Sequence, residues 1–355
     1  MTQKSIDLFI DAIRKGGAER VCVNYANYLA DNNYRVRIVL FREYEDSYIN
    51  LLDDRIELVY LHCHNASSML KKIKATNFVF ASAVITFNHQ ISIALWFYGR
   101  FIDKTKFKLI ARNVNFLSRD LHIRKNSIKK FVTILLTKLV YKKIDYFIAQ
   151  CNDMKDDMVS YLSIPESKIT VIYNPVSTSI YKQPDAKKDI DLLFVGRIQK
   201  QKGLDYLANV LDLVSQKRQI KVCIIGTGDL ETELQKKLDE ITKRNNIEVE
   251  RILATDDVNS YYNRSRITIL TSLYEGFPNV LAESLTVGTP VVSFDCPSGP
   301  AEIINNGING YLVPCFDCDD FSNKVISLLD DNQLSDIRYF NSEKSFNLLE
   351  KVIKN

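Results

Sequence analysis

Along this chain, short runs rich in β-branched residues alternate with longer segments whose apolar positions recur at helical spacing. The first block of strand-like runs is Ile6–Asp11, Val36–Phe41, Ile56–Leu61, Phe78–Phe87, Lys108–Arg112, Tyr146–Ala149 and Thr170–Tyr173. A polar stretch, Ser177 to Asp189, follows Asn174-Pro175; it contains Pro184 and three lysines and reads as a linker. A second block then runs Asp191–Val195, Lys221–Ile225, Ile247–Ile252, Ile267–Thr271 and Pro290–Phe294. Between the runs lie helical patterns such as Ala18–Ala30, Leu204–Val214 and Leu230–Arg244. Strand–helix alternation in two blocks predicts an α/β protein with two doubly wound parallel sheets. Ligands bind such sheets at the carboxyl ends of the strands, and two such ends are expected to face a shared cleft. The expected domains are 1–176, a linker over 177–189, and 190–355, whose last helix is expected to pack back on the first domain.

Length and composition fit that reading. A chain of 355 residues is long for one core. Its 46% hydrophobic and 25% charged residues are ordinary for a soluble globular protein. The net charge of +4 hides an asymmetry: residues 1–180 hold 26 Lys+Arg against 17 Asp+Glu, and residues 181–355 hold 21 against 26. The basic and acidic halves imply different partners. Seven scattered cysteines, an odd number, point to reduced thiols and the cytosol. No secretory leader is visible, and the longest apolar run, Phe78 to Phe97, is cut by Asn88-His-Gln90.

Several features fall short of a site. Cys315-Phe-Asp-Cys318 has no second pair, and the histidines lie far away in sequence, so zinc is not expected. His62-Cys-His64 sits in a presumed strand whose alternate residues face opposite ways. Asp317-Cys-Asp319 falls at a presumed helix start and reads as capping. Gly226-Thr-Gly228 lacks a third glycine, Glu231 standing there, which disfavours a dehydrogenase.

The stretch Glu275-Gly-Phe-Pro-Asn-Val-Leu-Ala-Glu283 carries chemistry. A strand-like run leads in, and a helix-like run from Val280 to Val287 leads out and stops at Gly288. Pro278 suits the first helical turn, where its missing N–H costs nothing. Glu275 then sits in the loop at the helix N-terminus, with Glu283 about two turns further along. Free N–H groups and the positive helix end make that place a phosphate site. Carboxylates beside a phosphate suit hydroxyl donors, and a nucleotide sugar has them at both ends. Arg197 and Lys202 follow the strand ending at Val195-Gly196, where both cations can reach one diphosphate.

This segment resembles the Glu-seven-Glu signature of retaining glycosyltransferases of family 4, which have the two-domain GT-B fold. Gly16-Gly-Ala-Glu-Arg20 resembles the family's first glycine loop, Asn174-Pro-Val176 its interdomain junction, and Phe194-Val-Gly-Arg-Ile198 with Lys202-Gly203 its phosphate clamp. Ile225-Gly-Thr-Gly228, Pro290 to Ile303 and Asn309-Gly-Tyr-Leu-Val313 fit in order and spacing. The resemblance implies transfer of a hexose or N-acetylhexosamine, with retention, in capsule or O-antigen assembly.

By the same resemblance Arg197, Lys202 and Glu275 are catalytic, and the donor contacts are Gly16, Gly17, Gly196, Gly226, Gly228, Gly276, Phe277, Asn279, Val280 and Glu283. Glu275 meets the transferred sugar and Glu283 the ribose. Asn88, His89 and Arg112 stand where relatives hold residues near the acceptor or sugar. A UDP-sugar is favoured over a GDP-sugar, no metal or other cofactor is expected, and the acceptor is a lipid-diphosphate-linked saccharide. One departure from the pattern is Glu250-Arg-Ile-Leu-Ala-Thr-Asp256, where the family has a Phe-Leu-Gly-like turn beside the nucleobase.

Residues 121–144 hold no acid and seven cations, interleaved with apolar residues. Arg124, Lys125, Lys129, Lys130, Lys142 and Lys143 are candidates for contact with an anionic membrane, which places the protein on the inner face of the cell membrane. Nucleic acid is not an expected partner. Two other readings stay open: a GT-B nucleotide-sugar epimerase, and a non-catalytic nucleotide-sugar-binding subunit.

Overall fold

The structure, a computed structural model, describes residues 4–45, 47–102, 106–113, 118, 137–331, 334 and 342–354. The chain divides into two units: Met1–Pro175 with Asn341–Asn355, and Val176–Phe340.

The first unit holds seven strands: β1 (Ser5–Ile10), β2 (Arg35–Leu40), β3 (Glu57–Tyr60), β4 (Ala83–Thr86), β5 (Lys108–Arg112), β6 (Tyr146–Ala149) and β7 (Ile169–Val171). They form one parallel sheet in the order β3-β2-β1-β4-β5-β6-β7. Among the described residues its helices include α1 (Gly17–Asp31), α2 (Ala66–Ala75), α3 (His89–Phe97) and α4 (Asn152–Leu162), joined by the last helix, Ser342–Lys354. The two-residue period of the strands divides their apolar residues between two cores. Ile6, Leu8, Val36, Ile38 and Ile110 face Val21, Tyr25 and Leu29 of α1 and Leu349 and Val352 of the last helix. Phe9, Val39, Val84, Leu109 and Phe147 face Met69, Ile91, Leu95, Met154 and Met158 on the other side. A strand covered on both faces needs continuous apolar sequence, as the runs in this chain have.

The second unit holds β8 (Ile190–Val195), β9 (Ile220–Ile225), β10 (Ile247–Ile252), β11 (Ser265–Leu270), β12 (Val291–Phe294) and β13 (Gly310–Val313). These are again parallel, in the order β10-β9-β8-β11-β12-β13. The helices are α5 (Leu204–Lys217), α6 (Glu231–Arg244), α7 (Val258–Arg264), α8 (Asn279–Thr286), the short α9 (Pro300–Ile303) and α10 (Cys318–Asp330). Leu192, Phe194, Val222, Ile224, Ile267 and Ile269 pack under α5, α6 and α10. Leu193, Cys223 and Ile225 pack on the opposite face with Tyr262 and Val287.

Two expectations about local structure are corrected. The run Phe78–Phe87 is a strand only over Ala83–Thr86. Phe78 meets the Phe9 ring edge-on, Phe80 stacks on it, and the Ala81 N–H donates to Asp7, so this piece crosses the start of the sheet. His62-Cys-His64 lies beyond β3 in a loop, with His62 at φ 47. The capping role of Asp317 holds: its carboxylate accepts from the Asp320 N–H at the start of α10. Among the described residues no helix is long and apolar enough to cross a membrane. The seven cysteines are free thiols.

Asp7 is the polar exception in β1. It is fully buried, and Arg37 of β2 grips it with two bonds of 2.7 and 2.9 Å. Burial pushes its carboxyl above the usual range, against the pull of Arg37 and the Ala81 N–H. Removing the guanidinium leaves an uncompensated buried carboxylate. Arg37→Ala is expected to lower the unfolding free energy by about 3–5 kcal/mol in a urea titration. A loss below about 1 kcal/mol contradicts this account of the pair.

Candidate active site

The second sheet is built outward from β8, first to β9 and β10, then back to β11 on its other side. The reversal between β8 and β11 is where doubly wound sheets open a crevice. The loops leaving these two strands carry the cations and the first glutamate. After β8 come Gly196, Arg197 and a tight turn over Lys200–Lys202. After β11 come Thr271, Ser272 and Glu275.

Lys202 reaches across this point. Its ammonium lies 2.5 Å from Glu275 Oε1, with both side chains largely buried. Ser272, fully buried, donates to the same oxygen at 2.6 Å. The lysine stem runs over Gly196, where a Cβ would stand 3.1 Å from Lys202 Cε. Gly203, at φ 62, presses against the end of β11: a Cβ there would lie 2.1 Å from the Thr271 carbonyl oxygen. Thr271 in turn donates to the Lys202 carbonyl at 3.0 Å. An ammonium has three protons, so one bond to Glu275 orients Lys202 and leaves two N–H donors for a ligand. Arg197 is exposed, and its guanidinium has no hydrogen bond or ion pair to a described residue.

Glu275 stands in the loop before α8, as expected. The helix begins at Asn279, so Pro278 precedes it instead of lying in its first turn. Gly276 and Phe277 are buried, and Asn279 and Val280 are half-buried in the opening turn. Ser298, in a left-handed turn at φ 78, donates to the Gly276 carbonyl at 2.8 Å and shapes this loop. Glu283 is the fifth helical residue, just over one turn beyond Asn279, and is half-buried. The buried Tyr262 of α7 donates to its Oε2 at 2.8 Å. The helix ends before Gly288, whose φ of 83 is the left-handed stop.

The loop after β9 lies against the loop after β8. The Gly196 N–H donates to Ile225 at 2.9 Å and the Ile198 N–H to Thr227 at 2.8 Å. The backbones touch: a Cβ on Gly226 would lie 2.0 Å from the Gly196 carbonyl oxygen, and one on Gly228 2.3 Å from that of Ile198. Arg251 of β10 braces this loop, donating to the carbonyls of Ile224 and Gly226 and pairing with Glu231 at 3.1 Å. The departure noted after Val249 therefore includes a clamp on the glycine turn.

In the first unit, Gly16 and Gly17 lie at the start of α1 and Asn88 and His89 at the start of α3. These loops leave β1 and β4, the reversal point of that sheet. The Asn88 side chain is a helix cap, accepting from Gln90 N at 2.8 Å. Arg112 is 1% exposed, donates to Asn174 Oδ1 at 2.5 Å, and lies over the rings of Phe87 and Tyr25. Burial pulls its pKa below the ordinary arginine value. In this structure its guanidinium holds the interior beside the chain's exit at Asn174. Of the basic candidates, Lys142 and Lys143 are exposed, and Lys143 sits 5.5 Å from the Trp96 ring centroid. Arg124, Lys125, Lys129 and Lys130 lie outside the described residues.

Sequence reasoning missed Ser272, Tyr262, Arg251 and Ser298. Only Ser272 had a local signal, its three-residue spacing before Glu275. Cys296 is buried near Glu275, and burial, then the Glu275 charge, pushes its thiol pKa up. Among the described residues no group of three or more His, Cys, Asp or Glu could hold a metal ion.

Comparison with known proteins adds independent information. Residues 177–344 match the family of glycosyl transferases group 1, and residues 15–180 match glycosyltransferase family 4. The 4-alpha-N-acetylgalactosaminyltransferase of Campylobacter jejuni that acts on N-acetylgalactosamine-N,N'-diacetylbacillosaminyl-diphospho-undecaprenol is 25% identical over 93% of this chain and 92% of its own. The lipopolysaccharide 1,6-galactosyltransferase of Escherichia coli is 34% identical over 47% of this chain and 48% of its own. The chain spans about half the length of the first curated relatives it matches, 46% to 52%. The crystal structure of Anabaena HepE with UDP and glucose superposes with a TM-score of 0.79 at 16% identity, covering 99% of each chain. That likeness speaks for the fold, GT-B.

The packed glycine turns give a direct test. Gly226→Ala places a methyl group in the Gly196 carbonyl at a φ of 136 that alanine resists. The expected loss is about 1–3 kcal/mol of unfolding free energy. Gly16→Ala, with φ −150, meets only the end of the flexible Glu19 side chain and should change stability by less than about 1 kcal/mol. Equal losses in urea titrations contradict the close approach at Gly226.

Proposed function

Because the chain belongs to the family-4 glycosyltransferases, we propose that it transfers a hexose or N-acetylhexosamine from a nucleotide sugar, with retention of configuration. The observation that carries this reading is the Lys202–Glu275 pair across the β8–β11 reversal, with the exposed Arg197 on the same loop. In the reaction the bond between the sugar's anomeric carbon and the diphosphate oxygen breaks. The acceptor oxygen bonds that carbon on the same face, and its proton passes to the departing phosphate oxygen. Negative charge grows on the diphosphate, and Arg197 and Lys202 meet it with fixed positive charge. Glu275 takes the sugar hydroxyls and Glu283 the ribose. A UDP-sugar is the favoured donor, since UDP is the nucleotide bound in HepE.

The acceptor is a lipid-diphosphate-linked saccharide of surface-polysaccharide assembly, such as capsule or O-antigen. The Campylobacter relative supports this, because its alignment covers nearly the whole chain and its acceptor is a diphospho-undecaprenol. The basic segment 121–144 then holds the protein on the cytoplasmic face of an anionic membrane.

Three outcomes test this reading. Transfer of sugar should survive a chelator, and Arg197→Ala or Lys202→Ala should each cost about 2–4 kcal/mol in kcat/KM. Activity lost in chelator and restored by magnesium or manganese contradicts it. In nucleotide titrations Glu283→Gln should weaken binding of UDP, whereas Glu275→Gln should leave it nearly intact while depressing transfer. Equal losses of affinity would sink that division. Neutralising Lys129, Lys130, Lys142 and Lys143 together should release the protein from anionic vesicles, each cation adding about 1 kcal/mol near the surface. Unchanged sedimentation at the same salt places membrane contact elsewhere or nowhere.

A further inference from the structure

Glu283 is a flexible side chain on a short helix, and its orientation is fixed from outside that helix. Tyr262 is completely buried in α7, and its hydroxyl donates to Glu283 Oε2 at 2.8 Å. Among the described residues no other hydrogen bond or ion pair reaches this carboxylate, so Oε1 keeps its acceptor capacity. The half-buried Glu283 thus has one oxygen held and one presented.

The helix that carries Tyr262 is seven residues long, too short to be stable alone. Its place is set by the segment that follows Val176. Asn259 Oδ1 accepts from the Tyr181 N–H at 3.0 Å, and Asn263 Nδ2 donates to the Tyr181 carbonyl at 3.0 Å. Asn263 Oδ1 accepts from the Gln183 N–H at 2.7 Å. Arg264 grips Asp189 with two bonds of 2.9 Å. On the other flank, Lys188 donates to Thr289 Oγ1 at 2.8 Å, and that hydroxyl donates to the carbonyl of Tyr262 itself at 2.8 Å. Burial holds the Lys188 ammonium down at about 8, with the nearby charge of Lys182 adding to the shift. Tyr262 therefore has its backbone registered by residues 181–189 and its hydroxyl on the second glutamate of the motif.

We propose that Tyr262 is a positioning residue for Glu283, and that the linker segment 181–189 sets where Tyr262 stands. The inference rests on the assignment of Glu283 to the ribose. It makes recognition of the ribose hydroxyls depend on a side chain that never touches the nucleotide, and on a segment outside the pocket.

The test compares binding of UDP with that of 2′,3′-dideoxy-UDP by calorimetry; GDP and its dideoxy counterpart replace them if the wild type binds GDP more tightly. The wild type should prefer the nucleotide with ribose hydroxyls by about tenfold or more. Glu283→Gln and Tyr262→Phe should both abolish the preference and leave the dideoxy affinity unchanged, because Phe keeps the shape of the core. Asn263→Ala should reduce the preference at a temperature where its unfolding curve shows the folded state. A preference that survives Glu283→Gln overturns the ribose assignment itself. A preference lost in Glu283→Gln but kept in Tyr262→Phe overturns the positioning role alone. Equal weakening of both nucleotides in Tyr262→Phe marks general damage and also overturns it. A full preference in a folded Asn263→Ala overturns the linker's part and leaves that of Tyr262 standing.

Discussion

The ion pair between Lys202 and Glu275, 2.5 Å apart at the reversal point of the second sheet, is the interaction on which the site depends. A largely buried carboxylate and ammonium are each costly out of water and persist when each has the other and a further bond. Ser272 supplies that further bond to Glu275. The geometry then dictates its surroundings. The lysine stem passes close over Gly196, and the turn behind it fits against Thr271, which requires the left-handed Gly203. The glycine loop after β9 closes on the same strand end, with Arg251 behind it. A few contacts between neighbouring strand ends thus fix three loops.

The pair also decides the chemistry that the site can perform. Glu275 neutralises Lys202 only in part, because an ammonium with three protons can serve a carboxylate and a phosphate together. Arg197, exposed on the same loop, supplies a second cation without a competing partner among the described residues. Preorganised positive charge beside a carboxylate is an arrangement for a ligand that carries both phosphate and hydroxyl groups. The second glutamate is held differently, by a neutral hydroxyl, which leaves its charge undiminished for hydrogen bonding.

The fold was largely legible because parallel strands buried on both faces need continuous apolar runs. Lys108–Arg112, Tyr146–Ala149 and Ile247–Ile252 have the same bounds in sequence and structure. Phe78–Ser82 misled because Phe78 and Phe80 pack against Phe9 through their rings, which periodicity cannot distinguish from strand pairing. The Glu275–Glu283 segment was readable because its turn, helix start and carboxylates are contiguous. Its supports were not. Tyr262 lies 21 residues from Glu283 in sequence, and Arg251 lies 20 from Glu231, so nothing local joins them. The bond from Arg112 to Asn174 was equally hidden, because the two residues lie 62 apart in sequence.

The measurement closest to the central claim is a calorimetric titration of nucleoside diphosphate into three forms of the protein. Lys202→Met removes the cation held by Glu275 at the reversal point. Lys200→Met removes an exposed cation on the same turn and preserves the loop's net charge change. The account predicts that UDP affinity falls by tenfold or more, about 1.4 kcal/mol, in Lys202→Met and stays near the wild-type value in Lys200→Met. Equal affinities in both variants, whether lowered or unchanged, contradict a phosphate site organised by Lys202 and Glu275.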